Sequence, residues 1–150
     1  RRQRQMCIRD SYAGVKKSGQ ARSINREKLN FKTLKQELID RGSLRKAVYQ
    51  KYQALLKIRI QEKAFHPSGE QQVIDVGDSV FAVIRTSLDR SEQIIALQNV
   101  TGESQEVDIA QFLAEWSGST PWIDLISANE LKSPTLALSP YQSVWLRNSK

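Results

Sequence analysis

The residues of this chain that could do chemistry are few, and they are polar side chains in loops. The stretch "GQARSINREKLN" at residues 19 to 30 carries Arg22, Asn25 and Arg26, whose guanidinium and amide groups donate directed hydrogen bonds to oxygen-rich ligands. Two interpretations are open for it: a solvated linker, or one wall of a substrate site whose other walls lie outside the chain.

The remaining titratable groups do not converge on a catalytic pattern. His66 is the single histidine and has no Asp, Glu or Cys at metal-ligand spacing, so capping or packing beside Pro67 is favoured over catalysis. Asp75 and Asp78 are spaced for acid/base work in principle, but scattered turn carboxylates are normally solvated. No glycine-rich phosphate loop and no serine flanked by glycines appears either. The sequence therefore predicts no catalytic residue and no metal site.

Composition and charge limit the class of protein. The chain has 150 residues, of which 39% are hydrophobic and 26% charged, enough for one ordinary domain or a small domain with an arm. No apolar run approaches the roughly 20 residues that span a bilayer, so no membrane partner is expected. The net charge of +7 comes from one half: residues 1–63 hold 18 Lys/Arg against 5 Asp/Glu, and residues 64–150 hold 5 against 11.

The first eleven residues, "RRQRQMCIRDS", show no apolar periodicity and are interpreted as a sequencing-adapter scar. A basic arm for nucleic acid is the less favoured alternative. This segment holds the only cysteine, so the remainder can form neither a disulfide nor a cysteine metal site. A cytoplasmic protein without a nucleic-acid partner is expected.

Two helices are predicted after a loop that runs to about Lys28. In "NFKTLKQELID" Asn30 can cap a short helix and Gly42 can end it. Ser43 can cap a second helix, "LRKAVYQKYQALLKIRIQEK", whose apolar residues fall on one side: Leu44, Val48, Tyr52, Leu55, Leu56 and Ile60. A long helix with one apolar face must bury it. The following domain or an absent upstream segment could provide the partner.

The second half is predicted to be a small antiparallel β domain. Pro67 and Gly69 break the helix, and strand-like runs then recur between turn signals at 71–76, 79–86, 93–100, 104–109, 121–126, 133–138 and 141–147. Residues 109–116 could form a helical turn. Trp116, Trp122 and Trp145 stand in or beside apolar runs, where burial is the default expectation.

The order of these features resembles a known family. Four short motifs, in this order, are similar to the C-terminal end of the α-amylase superfamily, glycoside hydrolase family 13: "INR", "YQALLKIR", "FHP" and "LALSPYQSVWL". The similarity points to its sucrose phosphorylase-like branch, which includes glucosylglycerate phosphorylases. It covers roughly residues 14 to 147, and "INR" and "SPYQSVWL" are its most specific parts.

The resemblance implies an α+β piece of a larger enzyme. Residues 12–63 would be the end of a (β/α)8 catalytic barrel, with a substrate loop and the final helices, and residues 64–150 a C-terminal antiparallel β-sandwich. Enzymes of the family use an Asp nucleophile and a Glu acid/base in a retaining mechanism. Those carboxylates precede this segment, so the chain alone is expected to be inactive. A phosphorylase would use inorganic phosphate as co-substrate and no other cofactor.

The resemblance also assigns a role to Arg26. The matching Arg of the family's "INR" motif helps to hold the transferred glucosyl ring, so an α-glucoside is the expected partner of the parent enzyme, and Asn25 and Arg22 are weaker substrate-binding candidates. The competing interpretation is that Arg26 only forms an ion pair with Glu27 or is hydrated by solvent. A stand-alone β-sandwich binding or structural domain with a basic helical arm is the alternative function, and it would show an exposed row of aromatic residues. The sugars used, the choice among hydrolase, phosphorylase and transglucosidase, and the oligomeric state stay open.

Overall fold

The computed structural model of this chain describes residues 12–21, 30–115 and 121–149. The chain divides into two compact units, Arg1–Gln50 and Lys51–Lys150. The boundary between them falls inside the long helix. Among the described residues, no helix combines the length and apolar content that crossing a bilayer demands.

The first unit contains helices α1 (Tyr12–Ser18) and α2 (Phe31–Ile39). The prediction of a loop that runs to about Lys28 is wrong over the residues that form α1. Lys16 and Lys17 lie in the last turn of α1, where positive charge interacts favourably with the negative end of the helix dipole. Gly19 ends α1 with a positive φ of 67°, and its N–H donates to the Val15 carbonyl at 2.8 Å.

The predicted cap of α2 is confirmed. The Asn30 side-chain oxygen accepts from the backbone N–H of Lys32 at 3.0 Å and of Thr33 at 3.3 Å. The helix stops at Asp40 rather than at Gly42, because Asp40 leaves helical geometry with ψ 123° and its side chain accepts from the Gly42 N–H. The following turn is held by an ion pair between Glu37 and Arg45.

Helix α3 runs over Leu44–Gln61, as predicted to within two residues at its end. The Ser43 hydroxyl accepts from the Lys46 N–H at 3.4 Å, which confirms Ser43 at the start of the helix. An apolar stripe at every fourth residue follows one side of α3, and all its members are exposed, at 68, 59, 63, 38 and 82% respectively: Leu44, Val48, Tyr52, Leu56 and Ile60. We call these five residues the α3 stripe.

The second unit continues with a 3-10 turn (Lys63–Phe65) and antiparallel strands. The described strands are β1 (Glu70–Ile74), β2 (Val80–Thr86), β3 (Glu92–Asn99), β4 (Gln105–Asp108), β5 (Ile123–Asp124), β6 (Asn129–Glu130), β7 (Thr135–Leu138) and β8 (Ser143–Ser149). Among the described residues they form a six-stranded sheet of order β1-β2-β3-β8-β5-β6 and a β4-β7 pair. The short helix α4 (Ala110–Ala114) lies in the predicted helical turn.

The core lies on one face of the six-stranded sheet. Register aligns Ile84, Ile95 and Leu146 across β2, β3 and β8, and these side chains are at most 6% exposed. Val107, Ile109 and Leu138, from the β4-β7 pair and the residue after β4, join the same apolar cluster. Burial of each such side chain contributes about 1.5–3 kcal/mol. The α+β composition and the antiparallel pairing are thus confirmed, whereas the sandwich and the barrel origin of the helices stay predictions.

Candidate functional site

The sequence-predicted substrate residues Arg22, Asn25 and Arg26 lie outside the described residues. Their role stays a prediction, and so does the scar assigned to residues 1–11, which are also outside the described part. In sequence they precede the confirmed cap at Asn30.

The six-stranded sheet has a second, outer face opposite its core. Cross-strand pairing puts Val73, Val83, Ala96 and Trp145 in one row on this face, and Phe81 lies two residues from Val83 on the same side. Val73 is 63% exposed and Phe81 is 56% exposed, whereas Val83 is buried. We call this row together with Phe81 the outer face. It is an apolar surface that the described residues cover only in part.

The part of the outer face that is covered lies against residues 62–67, which lead from α3 into the sheet. We call these residues the connector. Arg85 of β2 donates through Nε to the Ala64 carbonyl at 3.2 Å and through Nη2 to the His66 carbonyl at 2.6 Å. Phe65 packs against Trp145 with ring centroids 4.9 Å apart and planes at 60°. Ala64 is fully buried beneath these contacts. The connector is therefore attached to the sheet by both hydrogen bonds and packing.

A carboxyl cluster joins the first residues of the connector to the sheet. The N–H of Ala64 donates to Glu92 Oε1 at 2.8 Å, and Arg147 Nη1 lies 3.3 Å from each carboxylate oxygen of Glu62. The Glu62 side chain is only 8% exposed. Burial raises the pKa of Glu62, Arg147 opposes that rise, and the neighbouring Glu92 carboxyl adds to it. This cluster joins strands β3 and β8 to the end of α3.

An exposed ion pair lies at the edge of the same region. Lys63 Nζ is 2.9 Å from Asp89 Oδ2, and the hydroxyls of Ser87 and Ser91 each donate to Asp89 Oδ1 at 2.7 Å. Hydrogen bonds from Ser91, Ser87 and Lys63 hold the pKa of Asp89 well below its usual range. The Asp89 hydrogen bond and charge raise the pKa of Lys63. Asp89 thus fixes the β2–β3 turn and reaches back to the connector.

These elements border a groove of about 630 Å³ on the outer side of the second unit. Its apolar lining comes from Leu56, Ile60, Phe65 and Leu88, and Ile60 and Leu88 are 82% and 63% exposed. His66 also lines it, and its Nδ1 accepts from the Ser68 N–H at 3.1 Å, which agrees with the capping role preferred from the sequence. Within the described ranges, no group of three or more His, Cys, Asp or Glu could hold a metal ion. The groove is therefore a mainly apolar surface suited to packing, with charged groups at its rim.

Sequence reasoning missed the cluster of Glu62, Glu92 and Arg147. Period-two alternation in β8 does place Arg147 on the same face as Trp145, so one signal was present. Glu62 and Glu92 are 30 residues apart along the chain, and Glu92 and Arg147 are 55 residues apart. Only strand register brings Arg147 beside Ile94, two residues from Glu92.

The tryptophans predicted to be buried are partly buried where they are described. Trp122 packs against the core cluster, and Trp145 lies on the outer face against Phe65. Trp116 is outside the described residues. Neither described tryptophan stands in an exposed aromatic row of the kind that a stand-alone sugar-binding domain would present.

Comparison with known proteins identifies sequence relatives of one kind. The chain is 41% identical over 93 residues to the glucosylglycerate phosphorylase of Spirochaeta thermophila, covering 62% of this chain and 16% of that protein. It is 32% identical to the Escherichia coli enzyme of the same name, over 93% of this chain and 23% of the relative. The Allomeiothermus silvanus enzyme is 28% identical over 90% of the chain. The predicted sequence resemblance is confirmed, and the chain spans about a fifth of the length of these relatives.

Other comparisons are weaker. No protein-family model matches the chain. A Bacillus licheniformis trehalose-6-phosphate hydrolase structure superposes with a TM-score of 0.48 and 19% identity, over 66% of this chain and 18% of that one. A Geobacillus stearothermophilus β-L-arabinopyranosidase gives a TM-score of 0.46 and 15% identity, over 57% and 21%.

Proposed function

We propose that this chain, a sequence relative of the glucosylglycerate phosphorylases, is part of a retaining α-glucosyl-transferring enzyme of the sucrose phosphorylase-like branch. The observation that carries the proposal is the 32% identity to the Escherichia coli enzyme across 93% of the chain, which matches only 23% of that enzyme. In this proposal residues 12–63 close a (β/α)8 barrel and residues 64–150 form its C-terminal β-sandwich domain. A cytoplasmic location is part of the proposal.

The chemistry would be done by carboxylates outside this chain. A retaining enzyme needs an Asp or Glu nucleophile and a second carboxyl that acts first as acid and then as base. In the family that this chain resembles, both precede the matching segment, so the 150 residues alone are proposed to be inactive. Inorganic phosphate would replace water as the acceptor of the glucosyl group, and no further cofactor is invoked.

Arg26 would bind the glucosyl ring in the donor subsite. Its planar guanidinium gives paired, directed donors to sugar hydroxyls or to a carboxylate from another loop, and it stays charged at any working pH. Asn25 and Arg22 would order the loop or contact the acceptor. The Asn30 cap fixes the start of α2 four residues after Arg26.

Two apolar surfaces of the described chain support the proposal of a larger enzyme. The α3 stripe is exposed along its whole length, which is unusual for a helix of 18 residues with an apolar side. The outer face of the sheet adds Val73 and Phe81, each more than half exposed. Patches of this kind normally mark contact surfaces. The preceding part of the enzyme would cover each of them.

A chimera tests the proposal directly. Residues 12–150 would replace the matching C-terminal segment of the Escherichia coli glucosylglycerate phosphorylase, and phosphate-dependent cleavage of glucosylglycerate would be measured. We expect retained phosphorolysis, and we expect none from the 150-residue chain alone. A chimera that folds cooperatively but cleaves nothing, or a lone chain that binds α-glucosides, would favour the stand-alone binding domain instead.

A further inference from the structure

Strand β1 forms one edge of the six-stranded sheet, because β2 is its only partner among the described strands. At the end of the β2–β3 hairpin the Ser87 N–H donates to the Glu92 carbonyl at 2.9 Å, so the odd-numbered residues of β2 direct their backbone groups to β3. The even-numbered residues of β2 therefore bond to β1, where register pairs them with Glu70, Gln72 and Ile74. The backbone groups of the two β1 residues in between point away from the sheet.

The open edge consists of the N–H and C=O groups of Gln71 and Val73. Both residues are exposed, and no hydrogen bond within the described part of the chain uses these four groups. Natural edge strands usually carry a lysine, a proline or a bulge that prevents pairing with another chain. Strand β1 reads EQQVI, and its register with β2 is continuous over all five residues. It therefore lacks these devices, and its edge can accept another strand.

We propose that this edge pairs with the same edge of a second copy of the chain, in an antiparallel β1–β1 ladder centred on Gln72. Two outward residues separated by one position are self-complementary about a two-fold axis. Gln71 of each copy lies opposite Val73 of the other, and each of these pairs exchanges two N–H···O bonds. The two six-stranded sheets then form one continuous sheet.

The side chains of β1 on the core side favour a second copy as the partner. In this register Glu70 lies opposite Ile74 of the other copy, so like charges are not directly opposed. The two Gln72 amides meet across the axis, where each can donate to and accept from the other. The ladder therefore leaves no unfavourable side-chain pair on this side.

The outer side of the same ladder brings opposite charges together. Arg85 Nη1 donates to Gln71 Oε1 at 2.6 Å, which holds a guanidinium above β1, and the described contacts use three of its five N–H groups. Alternation continues after β1 and puts Asp75 on the side of Gln71, where its Oδ1 accepts from the Gly77 N–H. In the ladder, Asp75 of the second copy lies diagonal to Gln71, within reach of the long Arg85 side chain. The two-fold axis creates this ion pair twice.

The contact is small, because each copy contributes five residues of β1. Interfaces below about 1,200 Å² are typical of transient complexes, so the dimer is expected to exchange rapidly with monomer. The inference rests on strand register and goes beyond the proposed enzymatic function, on which it does not depend.

Sedimentation equilibrium and amide hydrogen exchange on the full chain, over a series of concentrations, test the ladder. We expect the weight-average mass to rise towards that of a dimer. Exchange of the Gln71 and Val73 N–H groups should slow at least about fivefold over the same series, because pairing removes them from water.

Val73→Pro removes one outward N–H and leaves the β1–β2 ladder intact, since proline is tolerated on an edge strand whose N–H faces outward. It should raise the dimer dissociation constant at least about tenfold. Asp75→Asn keeps the oxygen that accepts from Gly77 and should raise the constant about two- to fivefold. The matched control, Val48→Gln on the α3 stripe, should leave the concentration-dependent protection of Gln71 unchanged.

Three results would overturn the ladder: a mass that stays monomeric, association without protection of the two amides, or a dissociation constant unchanged by Val73→Pro. Equal protection of Gln71 and Val73 at every concentration would assign the edge to a segment of the same chain, and would also exclude the second copy. If Val73→Pro does not fold, Val73→Lys places two like charges diagonally across the axis and should weaken the dimer instead. The wild-type exchange series decides independently of either variant.

Discussion

Helix α3 and the six-stranded sheet carry apolar residues at equally regular spacing. The core-facing residues of the sheet are buried, whereas those of the α3 stripe are exposed. In the sheet, rows such as Ile84, Ile95 and Leu146 are closed by a second layer of the same unit. Along α3, the stripe from Leu44 to Ile60 repeats every fourth residue and stays exposed among the described residues. The β core is completed within this chain, whereas no described residue buries the α3 stripe. The two regions differ in whether a second layer packs against their apolar residues, and not in the spacing of those residues.

The largest expected effect separates the two regions with one type of substitution. Leu146→Ala removes a side chain that is 1% exposed, so it should lower the free energy of unfolding by about 2–5 kcal/mol. Leu44→Ala acts on a residue that is 68% exposed, and its effect in the isolated chain should stay within about 0.5 kcal/mol. Urea denaturation of both variants measures this contrast.

The same pair sharpens the comparison in the chimeric enzyme. There, Leu44→Ala should destabilise by more than it does in the isolated chain, because the stripe would then be buried. Equal small effects of Leu44→Ala in both contexts would contradict the proposal that the preceding part of the enzyme covers the stripe.

The next effect concerns catalysis and the proposed role of Arg26. Arg26→Ala in the chimera should lower kcat/KM for the glucosyl donor by about 2–4 kcal/mol of transition-state stabilisation, because charged hydrogen bonds to the ring are lost. Lys28→Ala, two residues away, is the matched control and should change kcat/KM little. Steady-state kinetics with varied donor and phosphate distinguish the two variants, and unchanged kinetics of Arg26→Ala would remove the donor-subsite assignment.

A third prediction compares two glycines, one beside the sheet and one between the helices. A Cβ at Gly69 would come within 2.8 Å of the Thr86 carbonyl oxygen and 3.1 Å of the His66 carbonyl oxygen. Both neighbours are backbone atoms, one at the end of β2 and one in the connector, so Gly69→Ala should cost about 1–3 kcal/mol of stability. At Gly42 a Cβ would meet only a side-chain oxygen of Asp40, at 3.7 Å. Gly42→Ala should therefore be nearly neutral in thermal unfolding, and similar costs for both would contradict the close approach.

Local signals in the sequence identified the elements better than the contacts between them. Asn30 and Ser43 mark helix starts because a cap depends on residues only three positions apart. The antiparallel strands follow from alternation and turn residues, but β6, of two residues, is too short to leave a pattern. Helix α1 was missed because seven residues with a glycine inside give a weak periodic signal.

The candidate site divides in the same way. Arg26 could be proposed from a short motif, because the family resemblance gives that position a role. The carboxyl pair Glu62 and Glu92 could not, since it depends on strand register and on how the connector crosses the outer face. Burial and pairing of charges over such separations are tertiary properties, and a single sequence carries no direct signal for them.

The smallest effect tests the helical side of the comparison alone. Asn30→Ala removes an oxygen that accepts from two backbone N–H groups at the start of α2, so it should cost about 1 kcal/mol and reduce the helical circular dichroism signal. Ser43→Ala removes a single longer bond, of 3.4 Å to the Lys46 N–H, and should cost less. Since α2 has no buried residue, its local cap contributes a large share of its stability. An Asn30→Ala variant with unchanged helicity and stability would mean that packing outside the described contacts, and not the cap, holds α2.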